Sequence, residues 1–306
     1  MDPLDGVKAW KDTSYFLMLA CREHGHRVCY LDQRDLWLEH DRLHGRVSWL
    51  EVHADPGHPF TVLEETSLEL GELDTVWVRT DPPFDRRYFY TTLLLDYLPD
   101  STRVINRPAG IRNWNEKLAA LYYPEYTPLT LVTSDPDAIR DFAEEQGRVT
   151  VKPVDGYGGK GIVFYRHGDP VHALGEATHQ GRQWVIVQEY LPAAVEGDKR
   201  ILLLNGDPMG AILRVHAEGA ELNNMDAGGS AHPSGLDARD MEICSALKQG
   251  LVEQGVFFAG IDIIGGMLIE VNVTSPTGLQ EMSRFDGVDY HLQMISALAE
   301  PSGNQK

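Results

Sequence analysis

Apolar residues recur at helical spacing over 15–23 and 84–98, and the second run follows Pro82-Pro83, a helix-start signal. Short apolar runs at 27–31, 75–78 and 103–105 read as strands, the first two leading into Asp-rich loops, and a helix is expected through 111–122. This alternation predicts an open α/β unit in the first third of the chain. Such a unit usually opens on a central strand, whereas here a loop and a helix come first, so a first strand is expected to be missing.

From Pro128 the grammar changes. Strands are expected at 129–132, 148–154, 162–165 and 184–188, with a helix at 136–146. Further strands at 200–204 and 209–215 are joined by Asn205-Gly206-Asp207-Pro208, a turn signal. A long amphipathic helix follows at 237–254, and another at 290–298 closes the pattern. Between them two apolar runs meet at Gly265-Gly266. The first carries Asp262 and the second carries Glu270 and Asn272. The whole reads as an α/β N-terminal unit (1–112) followed by two α+β lobes, 113–192 and 193–306, built of antiparallel sheets flanked by helices.

Composition narrows the function. The 306 residues are 42% hydrophobic and 24% charged, ordinary for a globular protein of more than one unit. A formal net charge of −19 argues against nucleic acid as a general partner, because phosphate backbones require a basic surface. No apolar run approaches the length of a membrane span, and the first residues lack the regions of a signal peptide. The cysteines (Cys21, Cys29, Cys244) are odd in number and lack Cys-x-x-Cys spacing, which fits a reducing cytoplasm. An anionic ligand would need a local basic island in this acidic molecule.

Such an island can be traced. Acids are rarely buried in apolar strands unless a cation pairs with them. Asp262, Glu270 and Asn272 offer hard oxygens of the type Mg²⁺ prefers, few enough to leave room for phosphate oxygens. Lys152 stands at a strand end before Asp155-Gly156-Tyr157-Gly158-Gly159-Lys160-Gly161, where glycine backbone N–H groups can close around phosphates. The P-loop pattern is absent, and a glycine-rich turn alone is more often only a turn. Lys117, in Asn115-Glu116-Lys117, is placed on a helix; alone it would read as a surface lysine. Gln188-Glu189-Tyr190-Leu191-Pro192 can offer backbone groups and apolar walls to a base, or be an ordinary strand end. Asp198 can accept from sugar hydroxyls, and Arg200 and Arg214 provide planar forks for phosphate or carboxylate.

The hairpin carries a geometric condition. A strict two-residue turn at Gly265-Gly266 would put Asp262 and Glu270 on opposite faces. A three-residue loop including Met267 sets them directly across from each other, with Asn272 on the same face. The metal reading therefore predicts the three-residue loop.

Taken in order, these segments resemble bacterial-type glutathione synthetase of the ATP-grasp superfamily. The resemblance is carried by Arg79-Thr80-Asp81-Pro82-Pro83-Phe84-Asp85, Asn106-Arg107-Pro108, Asn115-Glu116-Lys117, Gly197-Asp198-Lys199-Arg200, and the run from Gly260 through Glu270-Val271-Asn272-Val273-Thr274-Ser275-Pro276-Thr277. It implies a carboxylate–amine ligase joining γ-glutamylcysteine and glycine through an acyl phosphate, with release of ADP and phosphate. It implies that Lys117 and Lys152 hold the phosphates of ATP and that Gly158, Gly159, Lys160 and Gly161 cover them. Glu189, Tyr190 and Leu191 would contact adenine, and Asp198 the ribose. Mg²⁺, or Mn²⁺ in its place, would sit on Asp262, Glu270 and Asn272, while Arg200 and Arg214 neutralise the reacting carboxylate. The resemblance also suggests a homo-oligomer.

Two positions depart from the family pattern. Thr80 stands where the family usually has lysine. In the expected lid the family's arginine aligns with Leu222, and no Lys or Arg occurs from 215 to 238. His216 and His232 are the nearest potential cations. An arginine-free lid leaves open a related ligase with another acid or amine, or a catalytically idle ATP-binding homologue.

Overall fold

The computed structural model describes residues 1–216 and 229–298. Helix α1 (Thr13–Glu23) starts at Asp12, whose side chain accepts from the Tyr15 backbone N–H at 2.7 Å and satisfies an otherwise orphaned donor. Strands β1 (Val28–Tyr30), β2 (Leu36–Glu39), β3 (Arg42–Val52) and β4 (Phe60–Glu69) form an antiparallel sheet in which β3 pairs all three others. Strand β5 (Thr75–Trp77), helix α2 (Arg86–Leu95), strand β6 (Arg103–Ile105) and helix α3 (Pro108–Asn113) complete the N-terminal unit. Leu43, Val47, Leu70, Tyr88 and Ile111 join these pieces in one core.

The mixed α/β character is as expected, but parallel pairing among the described residues is confined to β5 with β6. The long hairpin of β3 and β4 was not legible as strands. The inward positions are Leu43, Gly45 and Val47, then Leu50 and Val52, so the alternation changes parity midway. The cause is that β3 buries opposite faces at its two ends, Leu43 and Val47 in the core with Tyr88 and Ile111, and Leu50 and Val52 in a separate one with Ala9 and Tyr15. Between β1 and β5 lies a cavity of about 730 Å³ whose wall includes Val28, Tyr30, Trp49, Val76 and Trp77.

The helix expected through 111–122 is broken. The Asn115 side-chain oxygen accepts from the backbone N–H of both Lys117 and Leu118 at 3.0 Å, a local bond that competes with helix propagation. Lys117 therefore sits in a turn between α3 and a short 3₁₀ segment, Ala119–Tyr122.

Strands β7 (Thr130–Thr133), β8 (Arg148–Pro153), β9 (Val163–Arg166) and β10 (Val185–Glu189) form a second antiparallel sheet, ordered β7-β10-β8-β9. Helices α4 (Pro136–Gln146) and α5 (His172–Ala177) cover one face through Ile139, Ala143, Val149, Val151 and Val187. Because side chains alternate along a strand, Thr150, Lys152 and Gln188 fall on the other face.

The third sheet runs β13-β12-β11-β14-β15, from β11 (Asp198–Leu204), β12 (Asp207–Val215), β13 (Ser230–Ser234), β14 (Phe258–Ile264) and β15 (Met267–Asn272). Helix α6 (Ala238–Glu253) opens on a reciprocal capping box, Asp237 with Asp240. It buries Ile243, Leu247 and Leu251 against Ile201, Leu203, Ile261 and Val271. On the opposite face, Leu202, Ile212 and Phe258 pack with α7 (Leu279–Asp286), α8 (Tyr290–Ser296) and Leu17 of α1. That shared core fastens the N-terminal unit to the third sheet.

The β14–β15 hairpin corrects the three-residue loop. Ile264 pairs with Met267 across a two-residue Gly265-Gly266 turn, both glycines having positive φ (56° and 77°). Asp262 nevertheless lies opposite Glu270, because the register shifts between Asp262 and Ile263 and leaves Ile269 as an extra residue on β15. The bulge restores the pairing that the tight turn alone would lose.

Candidate active site

Cross-strand register places the charged residues of the third sheet in a row. Arg200 pairs with Asp262, which pairs with Glu270, while Asp198 pairs with Arg214 and Gly260 with Asn272. All lie on the face away from α6, at the end not filled by α7 and α8. The free face of the second sheet, bearing Lys152 and Gln188, lies across from them. Between the two is a cleft of about 420 Å³.

Asp262 is buried and receives both Nε (2.8 Å) and Nη2 (2.7 Å) of Arg200, with Arg214 Nη2 at 2.8 Å. Burial opposes its ionisation, but the two guanidinium groups prevail and hold the carboxyl well below its usual range. Arg214 also grips Asp198 through Nε at 2.9 Å and through Nη2. Asp198 is thus engaged with a cation as well as facing the cleft. Asn272 Nδ2 lies 3.3 Å from Asp262 and from the Gly260 carbonyl.

Lys117 donates to Glu270 at 2.9 Å and to the Gly156 carbonyl. Burial would lower its pKa, but Glu270 outweighs that and the net shift is upward. Lys152 differs. Its ammonium donates to Gln188 Oε1 at 2.6 Å, and burial pulls it down to about 8 despite Glu270 nearby. Two lysines thus enter the cleft from different elements, one tied to a carboxylate and one to a neutral amide.

Every site residue proposed from sequence lines this cleft except Gly161, which lies against Pro153 at φ +74°. Lys160 donates to the Tyr157 hydroxyl at 3.0 Å, folding the glycine loop on itself. The Glu189 carboxylate accepts from the Leu129 N–H at 2.8 Å, so it braces the end of β10. Arg148 stacks on Tyr190 with its guanidinium 3.8 Å from the ring centre. Ile162, Phe164, Leu191 and Ile264 give the cleft apolar walls, and the bulge brings Ile269 into the lining beside Glu270. His216 and His232 are not part of the lining. Leu222 lies outside the described residues.

Sequence reasoning passed over Gln188 and Glu116. Gln188 is buried in an otherwise apolar strand, a signal that its amide has a dedicated partner. Glu116 was quoted only as a neighbour of Lys117. Ser275 and Thr277 also line the cleft, and the Ser275 hydroxyl donates to Asp81.

Asp262, Glu270 and Asn272 fit a hard divalent cation that draws its remaining ligands from phosphate. Among the described residues no group of three or more His, Cys, Asp or Glu could hold a metal by itself. The protein's share of such a site is therefore two carboxylates and an amide. Chemically, the arrangement is a cation-lined, partly apolar cleft suited to a nucleotide, with hard oxygens where its phosphates would meet a second substrate.

Comparison with known proteins agrees in scale and place. Residues 1–112 match the family description "Prokaryotic glutathione synthetase, N-terminal domain", and residues 116–287 match "Prokaryotic glutathione synthetase, ATP-grasp domain". The glutathione synthetase of Gloeobacter violaceus is 42% identical over 310 residues, covering 98% of this chain and 95% of its own. That of Pseudomonas syringae pv. tomato is 39% identical over 302 residues, covering 97% and 95%. Among solved structures, the ATP-grasp ligase PsnB, complexed with a phosphomimetic variant of its minimal precursor, Mg and ADP, superposes with a TM-score of 0.60. It shares 18% identity and covers 93% of both chains. No helix among the described residues is long and apolar enough to cross a membrane.

Proposed function

The chain belongs to the prokaryotic glutathione synthetase family, and from that premise we propose how its cleft performs the ATP-dependent joining of γ-glutamylcysteine to glycine. The enzyme is an ATP-grasp ligase that makes glutathione. One observation carries the residue assignment: two lysines and two arginines converge on Asp262, Glu270 and Asn272 within one cleft between two antiparallel sheets.

On this reading the adenine lies among Ile162, Phe164, Leu191 and Ile264, with the main chain of 189–191 along its edge. Asp198 faces the ribose while holding Arg214. Lys117 and Lys152 hold the phosphates from opposite sides, and backbone N–H groups of the loop at Gly158, Gly159 and Lys160 close over them. Asp262, Glu270 and Asn272 would hold Mg²⁺, for which Mn²⁺ is a substitute. When bound, the ion neutralises phosphate charge and orients the γ-phosphate.

Phosphoryl transfer asks little acid–base chemistry of a protein, so positioning and charge neutralisation dominate. The substrate carboxylate attacks the γ-phosphate in line and displaces ADP, beside Arg200 and Arg214, whose positive charge offsets that of the reacting oxygens while their forks hold Asp262 and Asp198. The glycine amine then attacks the acyl phosphate, and phosphate leaves. Asp81, Ser275 and Thr277, at the end of the cleft toward the N-terminal unit, are placed to meet the peptide substrate.

Measuring ADP release with γ-glutamylcysteine and a panel of amines tests the pairing of substrates. Glycine-dependent turnover that yields glutathione is expected; turnover with other amines but not glycine would overturn it. For the metal assignment, Glu270→Gln should cut turnover by roughly 100-fold or more while circular dichroism stays unchanged. Unchanged activity would remove Glu270 from the ligand set.

A further inference from the structure

The turn at 115–118 reaches farther than a single lysine requires. The Glu116 carbonyl accepts from the Val271 N–H at 2.8 Å, inside the Glu270-Val271-Asn272 segment. Its carboxylate oxygen Oε1 accepts from the Val273 N–H at 2.9 Å, the Thr274 N–H at 3.0 Å and the Thr274 hydroxyl at 2.7 Å. On the same turn, the Asn115 amide donates to the Val154 carbonyl at 3.4 Å, where β8 enters the glycine loop. Lys117, the next residue, spans Gly156 and Glu270.

Three elements that must agree for catalysis therefore meet on three consecutive residues: the glycine loop, the second strand of the acidic hairpin, and the segment leading to Ser275 and Thr277. A carboxylate taking three donors through one oxygen fixes its partners more tightly than a neutral acceptor does. The surroundings make this placement costly, since Glu116 is buried beside the like charge of Glu270 with Lys117 next in sequence. A surface or loop-packing role would be met by a neutral side chain.

We propose that Glu116 is a positioning residue that locks Lys117 and Asn272 into one register, so that the lysine and the Mg²⁺ ligands grip the same nucleotide. Glu116 lines the cleft but acts through the segments it holds, not as a ligand of phosphate or metal. The inference rests on the nucleotide and metal assignment above, and deepens it by adding the strut that keeps its two halves aligned.

The test compares Glu116→Ala, Glu116→Gln and Thr274→Val in the full-length protein. Isothermal titration calorimetry of ADP with and without Mg²⁺ is run beside glutathione synthesis. Glu116→Ala is expected to lose roughly 10- to 100-fold in turnover and a similar factor in the Mg²⁺-dependent part of ADP affinity, as outer-shell changes at metal sites do. Glu116→Gln, which keeps an oxygen acceptor but loses the charge, should fall between alanine and wild type in both, and Thr274→Val should show a partial version of the alanine defect. A purely structural role predicts otherwise: lower melting temperature, with normal turnover and normal Mg²⁺ enhancement per folded molecule. That result overturns the proposal, as does an alanine variant equal to wild type. If Glu116→Ala does not fold, the glutamine and valine variants decide by the same ratios. Wild-type protein that neither makes glutathione nor binds ADP more tightly with Mg²⁺ would instead overturn the underlying assignment.

Discussion

Lys152 and Lys117 are the same residue type in the same cleft, and their surroundings push them in opposite directions. Lys117 faces Glu270 and stays charged; Lys152 faces Gln188 and is lowered to about 8 by burial. Phosphate binding needs the ammonium form, so free-enzyme affinity for nucleotide should fall as pH rises through about 8. The expected readout is a descending limb in kcat/KM for ATP near that pH, shifted to higher pH in Lys152→Arg, whose guanidinium stays protonated. A profile flat to pH values well above 8 would show that Lys152 does not govern binding. At this scale the sequence was most readable where chemistry is loud: charged groups and glycines in unusual positions. Gln188 signals that its amide needs a partner without naming it, and Glu116, an acid beside a lysine, declares none. Only the fold shows that Gln188 faces Lys152 and that Glu116 reaches Thr274.

Elements with one clean period were readable, and those with local interruptions were not. Helix α6, with its capping box, and the strands of the second and third sheets follow their patterns, except β13, whose Ser-Ala-His-Pro-Ser carries no apolar alternation. The β3–β4 hairpin hides behind its change of parity, and the helix expected through 111–122 is stopped by Asn115 bonding its own neighbours. Tight packing between elements was likewise invisible. A Cβ on Gly110 in α3 would overlap the carbonyl oxygen of Gln254, just past α6. That contact is backbone, which cannot swing aside as a flexible side chain could. Gly110→Ala should therefore destabilise the protein by about 1–3 kcal/mol despite alanine's better helix propensity. Chemical denaturation would check this; unchanged stability would mean that α3 can move away from α6 freely.

For the whole molecule, charge and pH work together. Burial raises the carboxyl pKa of Asp81, Glu116, Asp198 and Glu281 above their ordinary values of 3.8, 4.5, 3.8 and 4.5. A raised carboxyl binds more protons folded than unfolded. Its contribution is full below the ordinary value and is lost as pH climbs through the folded value. The net charge of −19 adds self-repulsion that shrinks in the same direction. His291 and the N-terminal amine oppose the trend, since burial lowers their pKa, but they are two groups against four. The ligand-free enzyme should thus melt at a higher temperature near about pH 5.5 than near about pH 7.5. Below about pH 4 the trend should reverse as Asp262, held low by Arg200 and Arg214, is forced to protonate. Differential scanning calorimetry across this range would show it, and a monotonic rise with pH would contradict it. Architecture at this scale was legible as layers, because alternating and antiparallel grammars leave different marks. How α1, α7 and α8 share one core was not, since those contacts are far apart in sequence.

The extra residue in β15 has a consequence for how this site can change over time. Asp262 and Glu270 face each other because Ile269 is held out of the ladder as a bulge instead of pairing. The arrangement is stored as a count of residues as much as in the identity of any one. Replacing Ile269 with another apolar side chain leaves the count intact. Removing it would leave Glu270 directly after Leu268 and still opposite Asp262, whereas drawing it into the ladder would set Glu270 opposite Ile261 and turn the carboxylate toward α6, erasing the acidic cluster without altering a single acid. What the site cannot survive is the loss of the bulge while the residue remains, and a designer transplanting the site would have to carry its spacing as faithfully as its side chains.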